Sequence, residues 1–450
     1  MLDCGTTAFD IVKAGTEIGL KIIILDHHEA EENLPECWHI VNPKRRDDES
    51  GLEMLAAVGV TFLACVAINN RLRDRGFYEN HPEPKLTALL DIVALGTVCD
   101  MVPLTGANRL FVRSGLAMPP RNIGLQALMR VSDIQAPIKP GDCGYALGPR
   151  INAGSRVHKA DLGAQLLCTE DPEEAKNIAF TLHDCNEMRK DIQAQMEQQA
   201  IQMVEENGMD QQAFILVDHE DWHPGLSGLV AGRLKERFGK PACVITYAHD
   251  LSGRKEGRGS GRSIPGVHIA QSFIDARTEG LLEKGGGHAM AGGFTVLPEK
   301  VSELRAFLAQ HVDKQLNGQE ITIEQNIDSV LTSGGLTVDL IETLQRTIGP
   351  FGQENPEPVF MFENCRIHKA DILGGAHIRI MFASAEGGAW IKAMAFKSVD
   401  TDLGTALLKS GAENIHILGQ LKINEWQGRK TAEMHVIDVA YANASAIAAE

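Results

Sequence analysis

The sequence predicts a mixed α/β protein. It begins with a parallel-sheet domain, followed by a long connecting helix, a second and smaller α/β domain, and a small C-terminal β-barrel. Three observations predict this. An apolar, largely β-branched run, Ile22-Ile23-Ile24-Leu25, has the composition of a buried parallel strand and ends on Asp26-His27-His28. From Asp171 to Asn207 the chain is polar, with Leu182, Met188, Ile192, Met196, Ala200, Met203 and Val204 near a 3.6-residue period. From Ile321 onward it changes to short strand-like segments separated by turn residues.

At the N-terminus, Met1-Leu2-Asp3-Cys4-Gly5 reads as the end of one strand. An amphipathic stretch, Ala8 to Lys13, leads to the strand ending at Asp26. Strand, helix and strand in that order make parallel neighbours joined by a right-handed crossover. Asp3 and Asp26 then fall at equivalent carboxyl ends, where open α/β sheets bind ligands. Two such carboxylates repel, and a shared cation is the simplest remedy. A hard carboxylate beside imidazole suits Mn²⁺ or Mg²⁺ better than a closed zinc site. Leu86 to Ala94 reads as an apolar helix running into Gly96-Thr97-Val98-Cys99-Asp100-Met101-Val102-Pro103. Asp100 is there either a loop residue at a helix stop or a third metal carboxylate.

Gly148 to Arg156 reads as a glycine-containing loop with two cations, Arg150 and Arg156, whose planar forks suit phosphate oxygens. After the long helix, Phe214 to Val217 is a strand, Trp222 to Gly225 a turn, Leu226 to Phe238 a helix and Ala242 to Ile245 a strand. Two glycine-rich loops follow, Gly257 to Ser263 and Gly285 to Gly293, the second around His288. Gly349 to Pro356 is turn chemistry. Candidate strands at Val359–Phe362, Cys365–Ala370, His377–Phe382, Trp390–Phe396, Ile415–Leu421 and Thr431–Ala440 suggest an OB-type barrel. Such a barrel binds single strands by stacking and backbone contacts, with Phe360, Phe362, Trp390 and Trp426 as stacking candidates. The domain division is therefore 1–170, 171–208, 209–318 and 319–450.

Composition narrows the class. Hydrophobic residues are 44% and charged residues 23% of 450, an ordinary globular balance. No stretch of roughly 18 uninterrupted apolar residues predicts a membrane span, and the first residues do not read as a signal peptide. Nine scattered cysteines without a C-x-x-C pair point to reduced thiols in a cytoplasm. The net charge of −17 argues against a protein that coats polyanions generally, while leaving room for a basic groove.

The blocks Asp3-Cys4-Gly5, Asp26-His27-His28, Gly96 to Leu104, Gly148-Pro149-Arg150-Ile151-Asn152-Ala153, Trp222 to Gly228, Gly259 to Ser263 and Gly286 to Gly293, in this order, resemble the DHH phosphoesterases. The likeness is to their single-strand-specific 5′→3′ DNA exonuclease branch. It covers nearly the whole chain and includes Gly349 to Pro358 before the barrel. The resemblance implies a DHH domain, a DHH-associated substrate-binding domain and an OB-like domain, acting together as a hydrolase in DNA repair and recombination. It implies a two-ion Mn²⁺ or Mg²⁺ site, with cations roughly 3.5–4 Å apart that clamp the attacking and leaving oxygens. Asp3, His27 and Asp100 are the implied ligands. Asp26 orients a histidine or binds weakly itself, and His28 sits near the scissile phosphate. Arg150 and Asn152 would hold the substrate phosphate, and His223, Ser260, Arg262 and His288 the DNA and its 5′-terminal phosphate. Implied partners are single-stranded DNA with a 5′ phosphate, a single-strand-binding protein and a helicase, with no membrane.

The family's first block, Asp-x-Asp-x-x-Gly on the first strand, is not found. The expectation is an N-terminally truncated reading with weakened metal binding, little nuclease activity and an exposed apolar sheet edge. Two other functions fit parts of the pattern. One is a non-catalytic nucleic-acid-binding protein. The other is a DHH-type phosphodiesterase for nanoRNA or cyclic dinucleotides, although a short substrate needs no barrel.

Overall fold

The computed structural model describes residues 1–250, 252–318, 324–409 and 414–442. The chain forms two compact units. One comprises Met1–Asn122, Gln135–Gly144 and the chain from Glu324 onward; the other comprises Ile123–Ile134 and the chain from Tyr145 through the second α/β domain. The expected domain boundary at 318/319 falls where the described residues stop.

In the first unit, β1 (Ile23–Leu25) and β2 (His39–Val41) pair in parallel, Ile24 opposite Ile40. Leu2 bridges in parallel to Leu25, and the Asp3 amide donates to the Leu25 carbonyl at 3.0 Å. The helix between them is Phe9–Glu17. The outer parts of this sheet are open: Leu2 is 59%, Val41 44% and Ile23 42% exposed. Helices Ala57–Asp74, Leu90–Cys99 and Gly106–Leu116 follow. They bury Leu55, Val60, Phe62, Val93 and Phe111 in one cluster, with the Phe62 and Phe111 rings edge to face at 5.4 Å. The helix expected from Leu86 begins instead with a 3₁₀ turn, Leu86–Leu89, and becomes α-helical at Leu90.

The same unit contains the barrel. Its strands are β8 (Ser329–Val330), β9 (Phe360–Leu373), β10 (His377–Ser384), β11 (Ile391–Ala395), β12 (Ile415–Trp426) and β13 (Arg429–Tyr441). Pairings run β9–β10–β11–β13–β12 and back to β9, closing a ring. The ring is thin at the parallel β11–β13 seam, where only Ala393↔Met434 and Met394↔His435 pair. The two candidate strands at 359–370 are one long β9. It passes through a left-handed residue, Asn364 (φ 49°), which lets a single strand serve two partners. Phe360 and Phe362 are buried in the barrel core, whereas Trp390 and Trp426 are 52% and 73% exposed. The Gly349–Pro356 turn docks on the segment after Asp100. Leu104 donates its amide to the Gln353 carbonyl at 2.8 Å, and the Arg109 guanidinium donates to the carbonyls of Gly349 and Thr347.

In the second unit a five-stranded sheet has the order β3-β4-β5-β7-β6. The strands are β3 (Ile215–His219), β4 (Ala242–His249), β5 (Lys255–Arg262), β6 (Lys284–His288) and β7 (Ala291–Val296). The helix Pro172–Glu206 lays Met196, Ala200 and Val204 on the face containing Ile215, Val217, Trp222 and Val230. Asp171 caps its first turn, accepting from the Glu173 amide at 2.9 Å. Helices Ile269–Thr278 and Val301–Leu316 contribute to the core of the opposite face, around Phe273 and Phe294.

Three segments read as loops are regular structure. Gly148–Val157 is an α-helix, started by Pro149 in its first turn. Gly257 to Arg262 belongs to β5, and Gly285 to Gly293 forms the β6–β7 hairpin. The glycines there accommodate aromatic packing rather than supply flexibility. A Cβ on Gly259 would lie 2.0 Å from the Phe294 ring, and one on Gly261 2.7 Å from the Phe273 ring.

Candidate metal centre and anion site

At the carboxyl end of β1 the chain turns sharply, and Asp26, 1% exposed, becomes a hub. It accepts from the Thr6 amide (3.0 Å) and hydroxyl (2.7 Å), from the His27 and His28 amides (2.8 and 3.3 Å), and from His28 Nδ1 (2.7 Å). Burial alone raises its pKa, but the hydrogen bonds from His28 and Thr6 outweigh it and hold the carboxyl far below the usual range. Asn42, also buried, donates to the Thr6 hydroxyl at 3.0 Å and to the His28 carbonyl at 2.9 Å.

Asp26 thus engages its oxygens with Thr6 and the two histidines, and two other carboxylates converge on His27. His27 Nε2 lies 3.3 Å from Asp3 Oδ1 and 3.4 Å from Asp100 Oδ2. Ligand atoms of Asp3, His27 and His28 all lie within 4.8 Å of one another. Asp100 stands at the C-terminal end of the helix Leu90–Cys99, as a residue at a helix stop, and its carboxylate reaches His27. Burial raises the Asp100 pKa, His27 opposes that rise, and Asp3 adds to it. Asp3 itself takes a left-handed backbone (φ 59°), which aspartate tolerates better than most residues.

These side chains suit a divalent cation on one decisive observation. His27 Nδ1 is 3.1 Å from the Leu55 carbonyl, an acceptor only, so Nδ1 carries the proton. Nε2 is buried and has no hydrogen-bond partner, yet two carboxylate oxygens face it. A lone pair opposed by two anionic oxygens is electrostatically unfavourable, and a cation among the three relieves it. His28, half exposed, packs edge to face on His27 at 4.7 Å, with its Nδ1 held by Asp26.

In the second unit, Arg150 donates to His183 Nδ1 (3.2 Å) and the Ala146 carbonyl (2.9 Å). Asn152 is exposed on the same helix. Arg156 donates to the Gly225 carbonyl at 2.6 Å, tying this helix to the turn that holds His223, whose Nδ1 accepts from the Gly225 amide. Ser260 lies 3.0 Å from the buried Ser227 hydroxyl. Arg262 abuts Gly228, where a Cβ would come within 2.9 Å of Nη2. Strand register aligns Arg262 with Ala291 and Ala291 with His288, so Arg262 and His288 lie in one row across three strands.

Arg156, read above as a cation suited to phosphate, and Arg189, outside the expected set, join this group. Burial lowers the pKa of Arg262, and the neighbouring Arg156 lowers it further. Arg189, on the long helix, is lowered the same way, by burial and then by Arg156. Its Nε is buried without a partner while its other nitrogens hold Gln193 and Asn186. Arg150, Arg156, Arg189 and Arg262 form no ion pair with a carboxylate among the described residues. Half-buried like charges without counter-charges are the electrostatics of an anion site.

Comparison with known proteins agrees with both units. Residues 1–97 match the DHH family N-terminal domain, 210–314 the DHHA1 domain and 327–438 the RecJ OB domain. Fold and site thus define a DHH protein carrying a DHHA1 domain. The single-stranded-DNA-specific exonuclease RecJ of Salmonella typhimurium is 32% identical, over 97% of this chain and 76% of that protein. RecJ of Escherichia coli gives the same values, and RecJ of Bacillus subtilis is 32% identical over 98% of this chain and 53% of that one. The chain belongs to the RecJ family. Among solved structures, RecJ from Thermus thermophilus in complex with Mn²⁺ superposes with a TM-score of 0.79 at 26% identity. That match covers 98% of this chain and 61% of the Thermus chain. Another manganese-bound exonuclease RecJ gives 0.57 at 26% identity, over 70% of this chain and 76% of that one.

Proposed function

We propose that this chain is a single-strand-specific 5′→3′ DNA exonuclease that hydrolyses phosphodiesters with Mn²⁺ or Mg²⁺ and serves repair and recombination. The observation that carries it is the buried, unpartnered His27 Nε2 facing Asp3 and Asp100. Asp3, His27 and Asp100 would hold the cation. When bound there, divalent ions lower the pKa of water and neutralise phosphoryl charge. Asp26 is a positioning residue: its hydrogen bonds fix both histidines before substrate arrives. His28 presents a free ring nitrogen for a substrate oxygen. Arg150 and Asn152 bind backbone phosphate. Ser260, Arg262, His223 and His288, with Arg156 and Arg189, bind the 5′-terminal phosphate, and recognition of that end gives the polarity.

The match to the RecJ OB domain and the exposed Trp390 and Trp426 support single-strand binding by the barrel. We assign residues 1–170 to catalysis, 171–208 to the connection, 209–318 to substrate binding and 319–450 to strand binding. A single-strand-binding protein and a helicase are proposed as the partners that supply the substrate. A cytoplasmic location is supported by nine free cysteines and by the lack, among the described residues, of any helix long and apolar enough to cross a membrane.

The test uses single strands labelled at either end. With Mn²⁺, the chain should release mononucleotides slowly and from the 5′ end, sparing blunt duplex, and His27→Ala should bind DNA without cutting it. Release from the 3′ end, or equal attack on duplex, overturns the proposal.

A further inference from the structure

Tyr145 is the most exposed of the large apolar and aromatic side chains among the described residues, at 90%. Its backbone is nonetheless firmly held. It lies at the centre of a single π turn, Cys143–Leu147, whose two end residues are fully buried. The Cys99 thiol donates to the Cys143 carbonyl at 3.5 Å, and the Arg150 guanidinium donates to the Ala146 carbonyl at 2.9 Å. Isolated π turns recur at functional sites, because the extra residue pushes one side chain out of the helical path. Arg150 follows Tyr145 by five residues, in the helix Gly148–Val157 that also carries Asn152 and Arg156. A flat ring thus projects into water on the turn that leads into the helix carrying Arg150 and Arg156, whose guanidinium groups have no carboxylate partner among the described residues.

We propose that Tyr145 is a base-stacking residue, on which one unpaired nucleobase of the substrate strand rests while Arg150 and Arg156 take the adjacent phosphates. This rests on the exonuclease reading above and adds a positioning residue to it. Aromatic faces next to cations are the chemistry of sequence-tolerant single-strand binding. Because the turn is pinned, the ring is already placed and little ordering is needed on binding. A base inside a duplex has both faces stacked and offers none to the ring, so Tyr145 also favours single strands.

The test measures binding to a 5′-phosphorylated single strand in EDTA, so that cleavage plays no part. An abasic nucleotide is moved along the strand one position at a time. The wild-type chain should lose affinity at one position. Tyr145→Ala should bind the intact strand about 5- to 150-fold more weakly, the range base–aromatic stacking spans, and should be indifferent to the abasic site. Tyr145→Phe and Tyr145→Trp should retain wild-type behaviour, because stacking needs the ring and not the hydroxyl. If the wild-type chain binds single strands while Tyr145→Ala matches it in affinity and abasic profile, the stacking role is wrong and the exonuclease reading stands. If the wild-type chain does not bind single strands at all, both fall.

Discussion

His27 and Leu55 are joined by a hydrogen bond of 3.1 Å, from the imidazole Nδ1–H to the carbonyl at the start of the first apolar helix bundle. This contact directs the other ring nitrogen to Asp3 and Asp100. Metal affinity should therefore depend on the ring more than on its charge. His27→Ala should weaken Mn²⁺ binding by at least about 10- to 100-fold, as loss of a ligand or its support does elsewhere, with the far-ultraviolet dichroism unchanged. Titration calorimetry of both proteins checks it; equal isotherms would remove His27 from the site.

Arg262 sits half-buried among arginines, so its removal should affect affinity and salt dependence together. Arg262→Ala should bind single strands more weakly and reduce the slope of log K against log salt by about 0.7, the value for one phosphate contact. Its preference for a 5′-phosphorylated end over a 5′-hydroxyl end should shrink in the same assay. An unchanged slope and preference would show that the row Arg262–Ala291–His288 is not the phosphate site.

Gly259 and Phe294 are paired across β5 and β7, and a methyl at Gly259 would lie 2.0 Å from the ring. Gly259→Ala should destabilise the second unit by about 1–3 kcal/mol or more, the range for overpacking. Adding Phe294→Ala should recover part of that loss, a non-additivity that urea denaturation of the double mutant would reveal. Strictly additive effects would mean that the strand relaxes without touching the ring.

The thiols divide by burial. Cys4 and Cys168 are exposed, while burial pushes Cys99 up to about 11 and Cys143 and Cys365 to about 12. A thiol with a pKa near 12 is roughly one part in ten thousand thiolate at pH 8, and thiolate is the reactive form. An aromatic disulfide reagent at pH 8 should thus modify Cys4 and Cys168 within minutes and the buried thiols only after urea is added. Mass spectrometry of the labelled peptides gives the order, and early labelling of Cys143 would contradict its burial.

The strand at Ile22–Leu25, the helix from Asp171 and the long barrel strands were legible because periodicity and β-branched composition are local properties. The chemistry at their ends was legible as residue type: an acid and two imidazoles after a strand, an acid after a helix. The partners were not. Asp26 is satisfied by Thr6, twenty residues away, and Asn42 braces Thr6 from the end of a different strand. Neither residue carries a signal in isolation. The glycine segments at 257–263 and 285–293 read as loops because nothing nearby in sequence shows Phe273 and Phe294 lying against them.

The sequence by itself determined the order of the domains, the first strand and the long helix, and which side chains could bind a cation or a phosphate, since these follow from composition and short-range spacing. The resemblance already grouped Asp3 and Asp100 with His27; only the tertiary structure decided which donors hold Asp26, and that Arg156 and Arg189 join Arg262. Hydrogen bonds saturate, so a carboxylate accepting from five donors is held in one orientation by them. Which carboxylate is so saturated depends on groups that meet only when the chain folds.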